Sequence, residues 1–221
     1  SSVVLAKLKK PLIFVDLNFP KLNDKQLLIK VLYSGVCRSQ LMEMDGKRGK
    51  DKWLPHLLGH EGVGIVWKKG KKVKKFKIGD KVILTWIKCS GSSAKNPTYI
   101  SSKKKKINAG KITTFNNFTV TSENRLVKKP KSMPLELAPI FGCAFQTGPG
   151  MILNQMKIKQ NDFVAVFGLG GVGLSSLAVL KALNAKNVIC IDKNYKKLKI
   201  AKKLGFKKLI NLKKDSLLKM V

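Results

Sequence analysis

Gly168-Leu169-Gly170-Gly171-Val172-Gly173 is the stretch that decides the fold of this chain. The glycines alone would be a weak sign, and their flanks make them a strong one. Asp162 to Phe167, just upstream, is a short and mostly apolar run suited to a buried parallel strand. Leu174 to Leu183, just downstream, is almost wholly apolar, as a helix packed against a sheet should be. Val188 to Ile191 reads as a second strand, and it ends at an acid, Asp192, about 20 residues beyond the loop. Strand, glycine loop, helix, strand and acid in that order mark a dinucleotide-binding fold. Gly168 permits the tight turn, Gly170 lets backbone approach a pyrophosphate, and Gly173 allows close packing of helix on strand. Gly171 and Val172 complete the loop at the helix amino terminus, which favours phosphate charge. The Asp192 carboxylate is expected to accept hydrogen bonds from the adenosine ribose and to repel the extra phosphate of NADP, so the expected cofactor is NAD. Lys193 and Lys197 would soften that repulsion. The alternative for Asp192 is a plain capping acid after a strand.

Downstream, Tyr195 to Leu204 reads as a second helix closed by Gly205, and Leu209 to Asn211 as a third strand. A dinucleotide fold uses two mononucleotide-binding halves, and residues 156–221 have room for the first. The expectation is a truncated Rossmann domain with an exposed sheet edge, weak NAD binding at best and no activity in this chain by itself. The chain opens at Ser1, which agrees with a gene fragment.

Upstream, Gly59-His60-Glu61-Gly62-Val63-Gly64 sets an imidazole beside a carboxylate among glycines, where backbone can bend closely around an ion. Cys37 and Cys143 supply two more candidate ligands, and Cys, His, Cys is a donor set of catalytic zinc. Val3 to Leu5, Leu12 to Asp16, Leu27 to Leu32, Val63 to Trp67 and Lys81 to Trp86 read as short strands with frequent turns, the pattern of a small barrel. Ser39 to Asp45 reads as a short helix. Cys89 to Lys111 is loop-like, rich in Ser, Asn, Gly and Lys, and His56 reads as a loop residue ahead of the motif. Phe115 to Val120 and Arg125 to Lys128 resume strand character, and Leu135 to Met156 carries helical segments broken by Pro and Gly. Cys190 reads as a small apolar strand residue.

On these residues the chain resembles the zinc-dependent medium-chain alcohol dehydrogenases. The family signature is Gly-His-Glu, two residues, Gly, five residues, Gly, two residues and a small or branched apolar residue. Gly59, His60, Glu61, Gly64, Gly70 and Val73 match every fixed position, and the likeness runs over essentially the whole chain. It implies an α/β protein: a GroES-like β-barrel catalytic domain over residues 1–155, then the Rossmann half over residues 156–221. It implies that Cys37, His60 and Cys143 hold one catalytic zinc, that Ser39 takes the alcohol proton, and that Glu61 stands behind the metal. Arg38 matches a position that contacts the cofactor pyrophosphate, and Lys197 one that reaches the adenosine ribose. The implied reaction moves a hydride between an alcohol and NAD, giving an aldehyde or ketone. A polyol, an amino-alcohol or a glutathione adduct is the alternative substrate, and a non-catalytic nucleotide-binding fragment the alternative from another class. A structural zinc in this family needs four close cysteines. Only Cys89 stands in that region, so none is expected. Gln40 stands where the family has an Asp bonded to the zinc histidine, and Met42 and Glu43 stand where a relay histidine is usual.

Composition bounds the rest. Of 221 residues, 44% are hydrophobic, enough for a real core, and no run of about 18 apolar residues exists to span a membrane. Four widely spaced cysteines point to metal or free thiols and to the cytoplasm. The formal charge of +33 invites a nucleic-acid reading, but the basic residues are nearly all Lys, spread along the chain, and aromatics are 7%. Base readout favours Arg forks and single-strand binding needs aromatic platforms, so no specific nucleic-acid partner is expected. The expected partners are a small alcohol or carbonyl compound and, for the full-length protein, further copies of itself.

Overall fold

The structure is a computed structural model, and it describes residues 1–213. The chain divides into two compact units, Ser1–Cys143 and Ala144–Val221.

The first unit is built on two sheets. One has five strands in the order β10-β4-β6-β7-β11: β4 (Gln26–Ser34), β6 (Gly62–Lys69), β7 (Lys81–Leu84), β10 (Phe118–Ser122) and β11 (Leu126–Lys128), all antiparallel. The other has six in the order β2-β1-β5-β9-β8-β3: β1 (Ser2–Leu5), β2 (Ile13–Val15), β3 (Leu17–Asn18), β5 (His56–Leu57), β8 (Thr98–Ser101) and β9 (Lys106–Asn108). Alternation along β4 shows how they share a core. Leu27 and Ile29 point into a cluster with Val66, Phe76 and Leu84, whereas Leu28 points the other way, into a cluster with Val4, Leu57 and Tyr99. Burial on both faces of a strand is the mark of closed, barrel-like packing.

One helix interrupts the strands, α1 (Arg38–Met44), capped by Cys37. Most expected strands are present within a residue or two. The exception is the stretch read as a loop from Cys89 to Lys111, which holds the antiparallel pair β8 and β9. Its strands are short and its Ser, Asn and Lys content hides the alternation of buried Tyr99, Ser101 and Ile107 with exposed neighbours. His56, read as a loop residue, is a buried strand residue between β1 and β9.

In the second unit the helical stretch after Cys143 is α2 (Ala144–Gly150), with Pro149 inside it, running into a π-helical turn (Met151–Gln155). A parallel sheet follows in the order β12-β13-β14: β12 (Phe163–Phe167), β13 (Asn187–Asp192) and β14 (Lys208–Asn211). Between the strands run α3 (Gly171–Ala182) and α4 (Tyr195–Lys203). Val164, Leu177, Leu180, Val188 and Leu198 form its core, with Cys190 fully buried among them. Burial pushes the Cys190 thiol up to about 11, so it acts as an apolar residue. Among the described residues no helix is long and apolar enough to cross a membrane.

Candidate functional site

Three loops of the first unit bring Cys37, His60 and Cys143 together. Cys37 has extended backbone just beyond β4 and is the N-cap of α1, its carbonyl oxygen accepting from the Gln40 backbone N–H at 3.1 Å. His60 lies between β5 and β6 behind Gly59, whose φ of +88° is a left-handed turn. A Cβ at Gly59 would stand 2.3 Å from Thr114 Oγ1, so only glycine fits. Cys143 follows a 3-10 turn (Ala138–Gly142). The Gly142 carbonyl accepts from Thr85 Oγ1 at 2.8 Å and from the Trp86 N–H at 3.2 Å, which ties this corner to the end of β7. The ligand atoms of the three residues lie within 4.8 Å of one another.

Two thiols and one imidazole at that spacing suit zinc. The imidazole is prepared for it. Burial, with Arg48 in second place, holds the His60 pKa below its ordinary value, favouring the neutral ring that a metal needs. Nδ1 faces Gln40 Nε2 at 2.7 Å, and Gln40 Oε1 accepts from the Cys37 N–H at 3.3 Å. Gln40 is buried and bridges two of the three candidate ligands. A metal on the other ring nitrogen needs a hydrogen on Nδ1. With its amide turned, Gln40 would offer its oxygen to that hydrogen in place of the Cys37 N–H. The residues therefore fit a zinc ion.

Ser39 is partly buried on the first turn of α1, and Arg38 beside it is exposed. Glu61 is 2% exposed, next to His60, and its carbonyl accepts from the Gly35 N–H at 3.0 Å. Two neighbours escaped sequence reading. The Trp86 ring lies 6.0 Å from the His60 ring, and Arg125 lies over Trp86 and donates to its carbonyl. Nothing in their spacing signals this, because β6 and β7 are joined through the sheet.

In the second unit, Gly168 has a φ of +85° and Gly170 is the N-cap of α3. A Cβ at Gly173 would stand 2.1 Å from the Gly168 carbonyl oxygen, so helix and loop meet backbone to backbone. A Cβ at Gly170 or Gly171 would meet nothing within 4 Å, and Val172 is exposed beside them. Asp192 ends β13 next to the loop. Its Oδ2 accepts from the Leu169 N–H and its Oδ1 from the Asn194 N–H, each at 2.7 Å, and Lys197 Nζ lies 3.7 Å away. Burial works to raise this carboxyl, but the Asn194 and Leu169 N–H groups and Lys197 outweigh it and hold the pKa low.

Comparison with known proteins agrees with both halves. Residues 23–131 match the alcohol dehydrogenase GroES-like domain. Alcohol dehydrogenase 6 of Rattus norvegicus is 34% identical over 227 aligned positions, covering 92% of this chain and 60% of the rat protein. An alcohol dehydrogenase zinc-binding domain protein from Burkholderia ambifaria superposes with a TM-score of 0.89 at 25% identity, over 99% of this chain and 65% of that one. Benzyl alcohol dehydrogenase from Acinetobacter calcoaceticus gives a TM-score of 0.82 at 28% identity, over 99% and 65%. The fold is thus that of the medium-chain dehydrogenases, a GroES-like domain followed by Rossmann-type strands and helices. Over most of its length the chain is similar to alcohol dehydrogenases, and residues 23–131 carry the match to their GroES-like domain. It spans about 60% of the length of the curated relatives it matches.

Proposed function

We propose that the protein is a zinc- and NAD-dependent alcohol dehydrogenase that interconverts an alcohol with an aldehyde or ketone. The observation that carries this reading is the convergence of Cys37, His60 and Cys143 in a GroES-like domain. In this reading residues 1–155 are the catalytic domain and residues 156–221 the first nucleotide-binding half. Cys37, His60 and Cys143 would hold the zinc, which would supply a Lewis acid for the alcohol oxygen, and the glycine loop would hold NAD, which would supply the hydride acceptor. The Ser39 hydroxyl, two residues from Cys37 on the same turn, receives the alcohol proton. Gln40 holds the His60 ring, and the buried Glu61 carboxylate adds negative charge behind the ligands. In the nucleotide half, the backbone N–H groups from Gly170 to Gly173 at the start of α3 would hold the pyrophosphate. Asp192 accepts from the adenosine ribose with Lys197 beside it and disfavours a 2′-phosphate. The substrate is a small alcohol or carbonyl compound, and the working form is a homo-oligomer in the cytoplasm, without nucleic-acid or membrane partners.

Cobalt substitution tests the metal assignment. One thiolate-ligated cobalt per chain should appear as charge-transfer absorption, and Cys37→Ser should cut it at least twofold. Undiminished charge transfer in Cys37→Ser would remove Cys37 from the site.

A further inference from the structure

A second convergence of ligand atoms lies in the first unit, apart from the two cysteines. Glu43 is in the last turn of α1, Asp51 in the segment that follows, and His56 in β5. Their ligand atoms lie within 4.8 Å of one another. His56 Nε2 stands 2.8 Å from Asp51 Oδ2 and 3.8 Å from Glu43 Oε1. The imidazole is 9% exposed, the Asp51 side chain 12% and the Glu43 side chain 29%, so the cluster opens to solvent on its Glu43 side.

We propose that Glu43, Asp51 and His56 form a second divalent-cation site, of one nitrogen and two carboxylate oxygens, for Zn2+, Mn2+ or Fe2+.

Two independent observations lead there. The first is the ring's other nitrogen. His56 Nδ1 lies 3.0 Å from the Leu57 carbonyl oxygen. A carbonyl only accepts, so Nδ1 carries a hydrogen and donates it. In the neutral ring this leaves the Nε2 lone pair facing two anionic oxygens, three acceptors with no donor among them. An Nδ1–H held by a backbone carbonyl is also the arrangement that fixes a metal-binding imidazole. The second observation is charge. The chain carries 45 Lys and Arg against 12 Asp and Glu. Asp24, Asp45, Asp80 and Asp192 each pair with a lysine. Among the described residues no Lys or Arg pairs with Glu43 or Asp51. Among the described residues, their one ionic partner is His56.

The geometry admits an ion. Metal–ligand bonds of about 2.1 Å at right angles place neighbouring ligands about 3 Å apart. The 2.8 Å pair must open by a few tenths of an ångström, and the 3.8 Å pair must close by less than one. Glu43 can make that adjustment, because it lies in the last turn of a seven-residue helix and keeps three rotatable bonds at the open rim. Asp51 is held from behind, its Oδ1 accepting from the Trp53 N–H at 2.8 Å. Water completes the coordination on the exposed side. Without thiolates this harder donor set would hold zinc more weakly than the Cys37 site and exchange its ion with solvent.

The chain has two histidines, so ring resonances in a histidine-labelled sample report each site separately. Chelator-treated full chain is titrated with Zn2+ at pH 7.5, and then with Mn2+. The His60 signals should move with the first equivalent of Zn2+ and the His56 signals with the second, and Mn2+ should broaden His56. Glu43→Gln and Asp51→Asn should weaken the response at His56 tenfold or more and leave that at His60 unchanged. Should Asp51→Asn fail to fold, Glu43→Gln at the rim carries the comparison. His56 signals that stay in place through millimolar Zn2+ and Mn2+ would mean that a proton alone bridges the three groups, and would overturn the proposal. A silent His60 would count against the catalytic zinc reading and leave this one standing.

Discussion

Glu123→Gln should destabilise the first unit by about 3 kcal/mol at neutral pH. Glu123 is 4% exposed, in the turn between β10 and β11. Its Oε1 accepts from the Lys74 and Lys75 N–H groups, both at 2.7 Å. Its Oε2 accepts from the Ser92 N–H at 3.0 Å and the Ser92 hydroxyl at 2.7 Å. One carboxylate thus fastens the chain after β6 and the loop after β7 to the same corner. Burial works to raise its pKa, and the four hydrogen bonds more than offset it, bringing the pKa from 4.5 down to about 2. A carboxyl depressed in the folded state stabilises it fully above the unfolded pKa, and that stabilisation is lost as pH falls through the folded one. That depression corresponds to about 3 kcal/mol, of which about 2 kcal/mol is gone by pH 3. Glutamine keeps one acceptor and turns an amide N–H2 toward Ser92, so the charge-assisted bonds on that side are lost. All three tryptophans, Trp53, Trp67 and Trp86, lie in the first unit, so their fluorescence follows its unfolding alone. In urea at pH 7 the variant's midpoint should fall accordingly, and on heating it should melt about 10 °C lower. Its stability should also fall less between pH 5 and pH 3 than the parent's. A variant within 0.5 kcal/mol of the parent at pH 7, or one with the parent's full acid sensitivity, would refute the reasoning.

Three further outcomes follow from particular contacts. Gly173→Ala puts a methyl 2.1 Å from the Gly168 carbonyl, so dinucleotide binding by calorimetry should fall at least tenfold while tryptophan-monitored unfolding stays unchanged. Asp192→Gly removes the carboxylate that the proposed function sets against the ribose, and the ratio of affinities for NAD over NADP should drop tenfold or more. An unchanged ratio would mean that Lys193 and Lys197 set the preference. Gln40→Glu gives the His60 Nδ1–H a charged acceptor, so zinc should be held several-fold more tightly in chelator competition, and weaker retention would contradict the role given to Gln40.

Local pattern determined much of this protein. The strand before Gly168, the apolar α3, the acid at the end of β13 and the two elements after it are all legible in sequence, because each is a run with its own period and its own stop. The signature around His60 was equally legible, since Gly59 is required by a backbone turn that few residues adopt. What escaped depends on the meeting of distant segments. β5 is two residues long and exists only because β1 and β9 flank it. The β8–β9 pair lies inside a stretch whose composition reads as a loop. Glu123 takes its donors from Lys74, Lys75 and Ser92, and His56 its acids from α1 and the segment beyond it. Trp86 reaches the His60 ring through sheet pairing. None of these leaves a trace in spacing or periodicity, because a contact across a sheet is set by register and by how a loop closes. The sequence by itself therefore determined the elements and the ligand types, whereas only the tertiary structure decided which carboxylates and rings stand around them.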